Sequence, residues 1–171
     1  MPKKVYVNVA DYKLMDGKRE CEDITSVTLP TVSHPTVSID AAGMAGAIDM
    51  PNQAKLEAME FSINHNNGTN CNRLTDPDQH SFEFRVARQR YTVDKGNLGI
   101  EGAKFRIIGV HKSTEHGTVE AGNPYGSTER YSVLRFERIL NGETDTIVDV
   151  MKGVLKFNGK DCVSAVQSVL K

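Results

Sequence analysis

The chain has no tryptophan, only five tyrosines and three cysteines, and no apolar run of the roughly 20 residues that a bilayer crossing needs. Each shortage excludes something. Cys21, Cys71 and Cys162 are odd in number, far apart and without a Cys-x-x-Cys pair, so neither a disulfide framework nor a zinc site is indicated. The amino terminus, MPKKVYVNVADYK, starts basic but lacks an apolar core of signal-peptide length, which predicts a chain that stays in the reducing cytoplasm where it is made. Lys and Arg total 21 against 22 Asp and Glu, a net charge of -1 with the signs interspersed. No basic stripe is available to wrap nucleic acid, which argues against sequence-specific DNA binding. The 171 residues fit a single domain, 1–171, large enough to bury roughly 70% of the surface its unfolded form exposes.

What the sequence does have is strand pattern and turn chemistry. Asn141-Gly142 and Asn158-Gly159 each supply the two positive-φ residues of a type I′ turn, folding the last third back on itself and stopping it. Between them and upstream, Leu134, Phe136 and Leu140 alternate with Val133, Arg135, Glu137 and Ile139 without separating polar from apolar faces. Both faces of that strand must then meet something. KVYVNV (4–9), a turn at Asp16-Gly17 and DITSVTLPTV (23–32), with Pro30 at a strand end, read as a first hairpin. LEAMEFSI (56–63) places Met59, Phe61 and Ile63 on a buried face and Glu60 and Ser62 on a wet one. Phe82, Phe84 and Val86, then Phe105 and Ile107, mark strands over 81–93 and 103–112, separated by the turn-rich DKGNLGIEG. Helix is scarce: a short turn over Thr69–Leu74 ended by Asp76-Pro77, and a C-terminal helix or arm within 160–171, N-capped by Asp161 and carrying Val163, Val166, Val169 and Leu170.

Two loops are too long to be plain connections. Residues 38–55, SIDAAGMAGAIDMPNQAK, set Met44, Ile48 and Met50 among small residues; residues 112–130 are polar and glycine-rich. Apolar groups on a loop predict a partner.

Catalytic readings do not survive weighing. His111, Glu115, His116 and Glu120 lie close together at the start of the polar loop, but without the helical i, i+4 geometry of a zinc motif a solvated loop is the better reading. Ser26, Ser62 and Ser132 have no Gly-x-Ser-x-Gly elbow. The carboxylates Glu57 and Glu60, or Asp145 and Asp149, are on strands more often a wet face than an acid/base pair. Catalytic activity, a bound metal and a cofactor are therefore not expected.

The runs DITSVTLPTV, AAGMAGAIDM, LEAMEFSI and RFERILNGETDTIVDVMKGVLKFNG resemble, in order and spacing, the major tail tube protein family of contractile-tailed bacteriophages and R-type bacteriocins, over about residues 5–160. Ala42 departs from the family's glycine pair before the methionine, leaving Gly43 with the backbone freedom. The resemblance implies a mainly β subunit, an antiparallel β-sandwich or barrel of the tail tube type with one or two short helices and two long loops. It implies hexameric rings of this chain stacked into a tube within a sheath, with baseplate and tail terminator proteins as further partners. DNA would pass through only transiently, without sequence specificity, or the tube would puncture an envelope empty. Inter-ring contacts are expected on the two loops, at Gly43, Met44, Gly46, Ile48, Met50, His116, Asn123 and Tyr125. In such a tube Glu57, Glu60, Asp145 and Asp149 become candidates for the lumen wall. A monomeric β-sandwich binding module of a tail or baseplate is the alternative, but such a module calls for an exposed aromatic cluster and the tyrosines here are scattered.

Overall fold

The computed structural model describes residues 3–68 and 72–171. Its twelve strands are β1 (Lys4–Asp16), β2 (Arg19–Cys21), β3 (Ile24–Thr28), β4 (Thr36–Ile39), β5 (Ile48–Pro51), β6 (Glu60–His65), β7 (Gln79–Thr92), β8 (Asn97–Glu115), β9 (Ser127–Leu140), β10 (Glu143–Asp149), β11 (Val154–Phe157) and β12 (Lys160–Asp161). One α-helix, α1 (Ser164–Val169), follows. The fold is mainly β and antiparallel, as the alternating pattern requires. Ten strands form one sheet in the order β12-β11-β10-β9-β8-β7-β1-β2, with β6 joining β9 and β3 joining β6, while β4 and β5 pair only with each other.

The backbone of the sheet is three long strands, β7, β8 and β9, paired from end to end. Along its other edge β9 carries two neighbours in succession, β6 opposite Ser127–Ser132 and β10 opposite Arg135–Leu140. The sheet thereby curls around one core, in which Phe82 lies 4.8 Å from the Tyr131 ring and 5.2 Å from Phe61. Leu14, Ile63, Leu74, Ile107, Phe136 and Val148 are among the other buried residues of this core. Burial of each such side chain contributes about 1.5–3 kcal/mol. The buried Tyr131 hydroxyl donates to the Leu74 carbonyl at 2.7 Å, tying a 3-10 turn over Asn72–Thr75 to the sheet.

The mixed faces of 133–140 have a simple cause. Register shifts between Ile108 and Gly109, opposite Arg135 and Val133, leaving Leu134 as an extra residue. This β-bulge reverses the inside-outside parity of β9, so Val133 before it and Phe136 after it both enter the core. The strand keeps one buried face as far as Phe136; beyond it Arg138, opposite Phe105, is exposed on the core side and Ile139 stands on the outer side.

Other expectations are corrected. The 23–32 stretch does not fold back on 4–9: β1 turns at Gly17 onto the short β2, while β3 crosses to pair with β6, with Val27 opposite Ile63. Most of DKGNLGIEG is strand, because the β7–β8 turn is confined to Val93–Gly96 and Thr92 already faces Asn97. Asn158-Gly159 does not stop the chain but turns it, with φ of 48° and 78°, into β12. Residues 69–71 of the expected Thr69–Leu74 turn lie outside the described residues. At the carboxyl end the N-cap of α1 is Val163 rather than Asp161, which stands two residues earlier and whose Oδ1 accepts the Val163 and Ser164 amides at 2.9 and 3.0 Å.

Candidate functional site

Pairing register fixes which side chains share the outer face of the sheet. From β1 to β10 that face carries Lys13, Glu83, Arg85, Lys104, Arg106, Arg135, Glu137 and Asp149. Glu83, Arg106 and Glu137 alternate in sign along one cross-strand row, whereas Lys13, Arg85 and Lys104 form a neighbouring row of three bases. Glu83 meets Arg85 at 2.5 Å, Arg106 at 3.3 Å and Lys104 at 3.6 Å. Arg106 reaches on to Glu137 at 3.7 Å; Arg135 clamps Glu137 and stands 3.3 Å from Asp149. The face continues onto β6, where Glu60 takes Lys112 at 2.6 Å and Arg130 at 3.6 Å. The hydrogen bond from Lys112 holds the Glu60 carboxyl below its ordinary range. Burial opposes ionisation of Glu83, but hydrogen bonds from Arg85 and Arg106 outweigh it and lower its pKa as well. The result is a wall of fixed charges in which each of these carboxylates is held by at least one base and the bases are in modest excess.

Of the four carboxylates singled out in the sequence, Glu60 and Asp149 lie on this wall. Asp145 is the extra residue of a second bulge and is gripped by Arg138 at 2.7 Å, whose hydrogen bond lowers its pKa. Glu57 stands apart, accepting the Ser33 hydroxyl at 2.8 Å.

At one end of the sheet, β1, β7 and β8 run past the core as a three-stranded ribbon. On its inner side Glu101 accepts Lys4 at 2.8 Å and the Tyr6 hydroxyl at 2.8 Å, with Arg90 at 2.7 Å. The hydrogen bonds from Lys4 and Tyr6 bring its pKa down to about 2. Arg88 lies 4.6 Å over the Tyr6 ring. On its outer side Val5, Tyr91 and Leu98 face one another across the strands, and Ile100 follows; Leu98 and Ile100 are 62% and 61% exposed.

The expected first loop is instead a β-hairpin arm. Val37 pairs with Met50 and Ile39 with Ile48, so four apolar side chains share one face, while Thr36, Ser38, Asp49 and Pro51 take the other. Every residue from 36 to 51 is exposed. The tip turns at Gly43, φ 94°, closed by the Met44 amide donating to the Ala41 carbonyl at 3.0 Å; a side chain at Gly46 would meet open space. Met44, 41% exposed, lies outside the subunit's own core.

The polar loop is shorter than 112–130, because β8 and β9 pair out to Glu115 and Thr128 and leave 116–126. His116 and Asn123 are exposed, the latter donating to Glu120 at 3.0 Å. Tyr125 is half-buried and packs on Gly68 of its own chain. His111 does not belong to a solvated loop: it sits in β8, and its Nε2 lies 3.0 Å from the carboxylate of Glu129, a side chain with no exposure. Nor is it alone. His80, 1% exposed, donates from Nε2 to the Asp76 carbonyl at 3.1 Å and sets Nδ1 3.3 Å from Asp16. His111 and His80 both pack edge-on against Tyr131. These buried polar pairs were not legible in the sequence, where each partner is separated from the other by 18 or 64 residues. Among the described residues no three His, Cys, Asp or Glu are grouped to hold a metal, and no helix is long and apolar enough to cross a membrane.

An antiparallel sheet with an ion-paired outer wall, an exposed apolar arm and an apolar ribbon end has the marks of a subunit built to assemble. The family model for phage tail tube protein FII matches residues 12–170, and the chain belongs to that family. It is accordingly a structural tail tube protein, a component of the virion tail, whose family self-assembles into a tube. No curated protein sequence matches it.

Proposed function

We propose that this chain is the protomer of the inner tube of a contractile tail, in a phage or an R-type bacteriocin, forming hexameric rings that stack around a central channel. Family membership over 159 positions, residues 12–170, is the observation that carries this reading. The outer sheet face lines the channel. Its bases are in modest excess but engaged by carboxylates across the strands, so a passing polyanion meets weak attraction at most, and DNA traverses without being held. Lateral contacts close the ring through open strand edges such as β2, β3 and β12. Axial contacts use the arm, through Met44, Ile48 and Met50, and the polar loop, through His116, Asn123 and Tyr125. Sheath, baseplate and tail terminator proteins complete the set of partners, and the protein is made in the bacterial cytoplasm before joining the particle.

Electron microscopy of particles from the native source tests this directly. Rings of six along the whole tail length are expected. A ring of another order, or this chain at one end of the tail only, would remove the assignment.

A further inference from the structure

The arm joins the rest of the subunit through a junction whose two sides are unequal in length. The Asn52 amide donates to the Pro35 carbonyl at 2.8 Å and the Glu57 amide to the Ser33 carbonyl at 2.9 Å, so His34 alone stands opposite the four residues 53–56. The longer side takes up its excess in a turn: the Asn52 carbonyl accepts the Lys55 amide at 3.2 Å, and the Asn52 side chain accepts the Ala54 amide at 3.1 Å. Beyond this junction β4 and β5 pair only with each other, and residues 36–51 are exposed throughout, so the direction of the arm is decided at its base.

The His34 side chain fills that gap. Its Nδ1 lies 2.8 Å from the Lys55 carbonyl oxygen and 3.2 Å from that of Asn52. Both neighbours can only accept, so Nδ1 carries the hydrogen and donates to the two together. The ring also stands edge-on to Phe157 of β11, with centroids 6.1 Å apart and planes at 68°. One side chain thus touches the returning side of the arm and the main sheet at once. Beneath it the junction is anchored, because Val32 and Leu56 pack against the core and the Ser33 hydroxyl donates to Glu57 at 2.8 Å.

We propose that His34 is a positioning residue that clamps the arm in one direction relative to the main sheet, through its Nδ1 hydrogen on one side and Phe157 on the other. With His34 removed, the 52–55 turn keeps its own hydrogen bonds but loses the side chain that spans from it to Phe157. A junction of a few loop residues is then free to swing as a hinge. An arm already fixed in direction spares a contact between copies the entropy of fixing it. That purpose rests on the proposed axial role of the arm; the clamp itself does not.

Distances between two nitroxides within single chains, read by pulsed electron paramagnetic resonance, test it. The labels are attached at Asp49, exposed on the arm, and at Arg19, exposed on β2, through a ketone-bearing amino acid that leaves the native cysteines alone. Labelled chains are diluted into unlabelled protein below the concentration at which tubes form, so that only distances within a chain are read. With His34 intact a single narrow peak is expected. His34→Leu should broaden it, and His34→Asn, whose amide nitrogen takes the place of Nδ1, should restore it. Circular dichroism should show the same fold in all three. A broad distribution with His34 intact, an unchanged peak in His34→Leu, or equal broadening in His34→Leu and His34→Asn would each overturn the proposal. So would a His34→Leu chain that no longer folds, since His34 would then belong to the core. Tube growth separates the two readings. A broadened arm with tubes growing at the wild-type rate would remove the axial role of the arm and leave the clamp, whereas an unchanged peak removes the clamp whatever the tubes do.

Discussion

The Tyr125 hydroxyl rests so closely over Gly68 that a Cβ built there would overlap it. Gly68 also has φ of 79°, in the left-handed region where a side chain is strained on its own account. The Gly126 amide donates to the Asn66 carbonyl at 3.0 Å beside this contact, so the far end of the 116–126 loop is pinned onto the end of β6. Gly68→Ala should cost about 1–2 kcal/mol from backbone strain and push Tyr125 off its seat. Limited proteolysis within 116–126 should accelerate, and an unchanged cleavage rate would show that the loop is held some other way.

The histidines of the sequence divide by burial. His111→Ala takes a partner from the buried Glu129 carboxylate and should destabilise by about 1–3 kcal/mol, whereas His116→Ala, on an exposed residue, should stay within about 0.5 kcal/mol of wild type. Urea denaturation of the two single variants distinguishes them. Equal midpoints would mean that the His111–Glu129 contact contributes nothing.

His65 is buried, 3% exposed, with the carboxylates of Glu129 and Asp23 and the Glu22 backbone as its polar surroundings. Burial, opposed in part by the Glu129 charge, lowers its pKa below the ordinary 6.5. The unfolded chain then binds this proton more readily than the folded one. The stability associated with neutral His65 is complete above about pH 6.5 and is lost as pH falls through the lower folded value. Melting temperature should fall from about pH 7 to about pH 5, and His65→Leu should flatten that part of the profile. An identical slope in the variant would assign the acid sensitivity elsewhere.

Met44→Asp tests the arm as a contact element. With Met44 exposed in the subunit, the charge should leave the fold intact, with stability within about 0.5 kcal/mol of wild type, yet block tube growth by placing an unpaired charge in an apolar contact. Circular dichroism and sedimentation read the two outcomes separately. Normal tubes from the variant would exclude Met44 from the interface.

The elements read correctly from sequence are those decided locally. Met59, Phe61 and Ile63, or Phe82, Phe84 and Val86, alternate without interruption, and all six are buried. Asn141-Gly142 turns as its chemistry dictates, with φ of 53° and 87°. What was missed depends on which strand lies opposite. The Leu134 bulge hid that Val133 and Phe136 enter the same core, because nothing in 133–140 marks the extra residue until β8 is laid beside it. The arm looked like a loop because small residues around Gly43 and Gly46 dilute its alternation. Ion pairs of the outer wall, such as Arg106 with Glu83 and Glu137, exist only by cross-strand register, which sequence spacing does not reveal. Glu60 and Asp149 were expected on a wet face; Asp149 is in fact buried, and the cations that answer both carboxylates were not anticipated.

The divided edge of β9 bears on how the chain avoids misfolding. β6 ends its pairing at Ser132 and β10 begins at Arg135; at the join the Val133 amide donates to the Met59 carbonyl at 3.0 Å and the Val150 amide to the Leu134 carbonyl at 2.9 Å. A strand alone on an edge can slip by two residues and keep its faces correct, an error that alternation does not penalise. Here neither occupant can slip toward the other without colliding end to end. Two strands from distant parts of the sequence therefore act as stops for one another, and a chain destined to repeat its shape many times over is held to a single alignment.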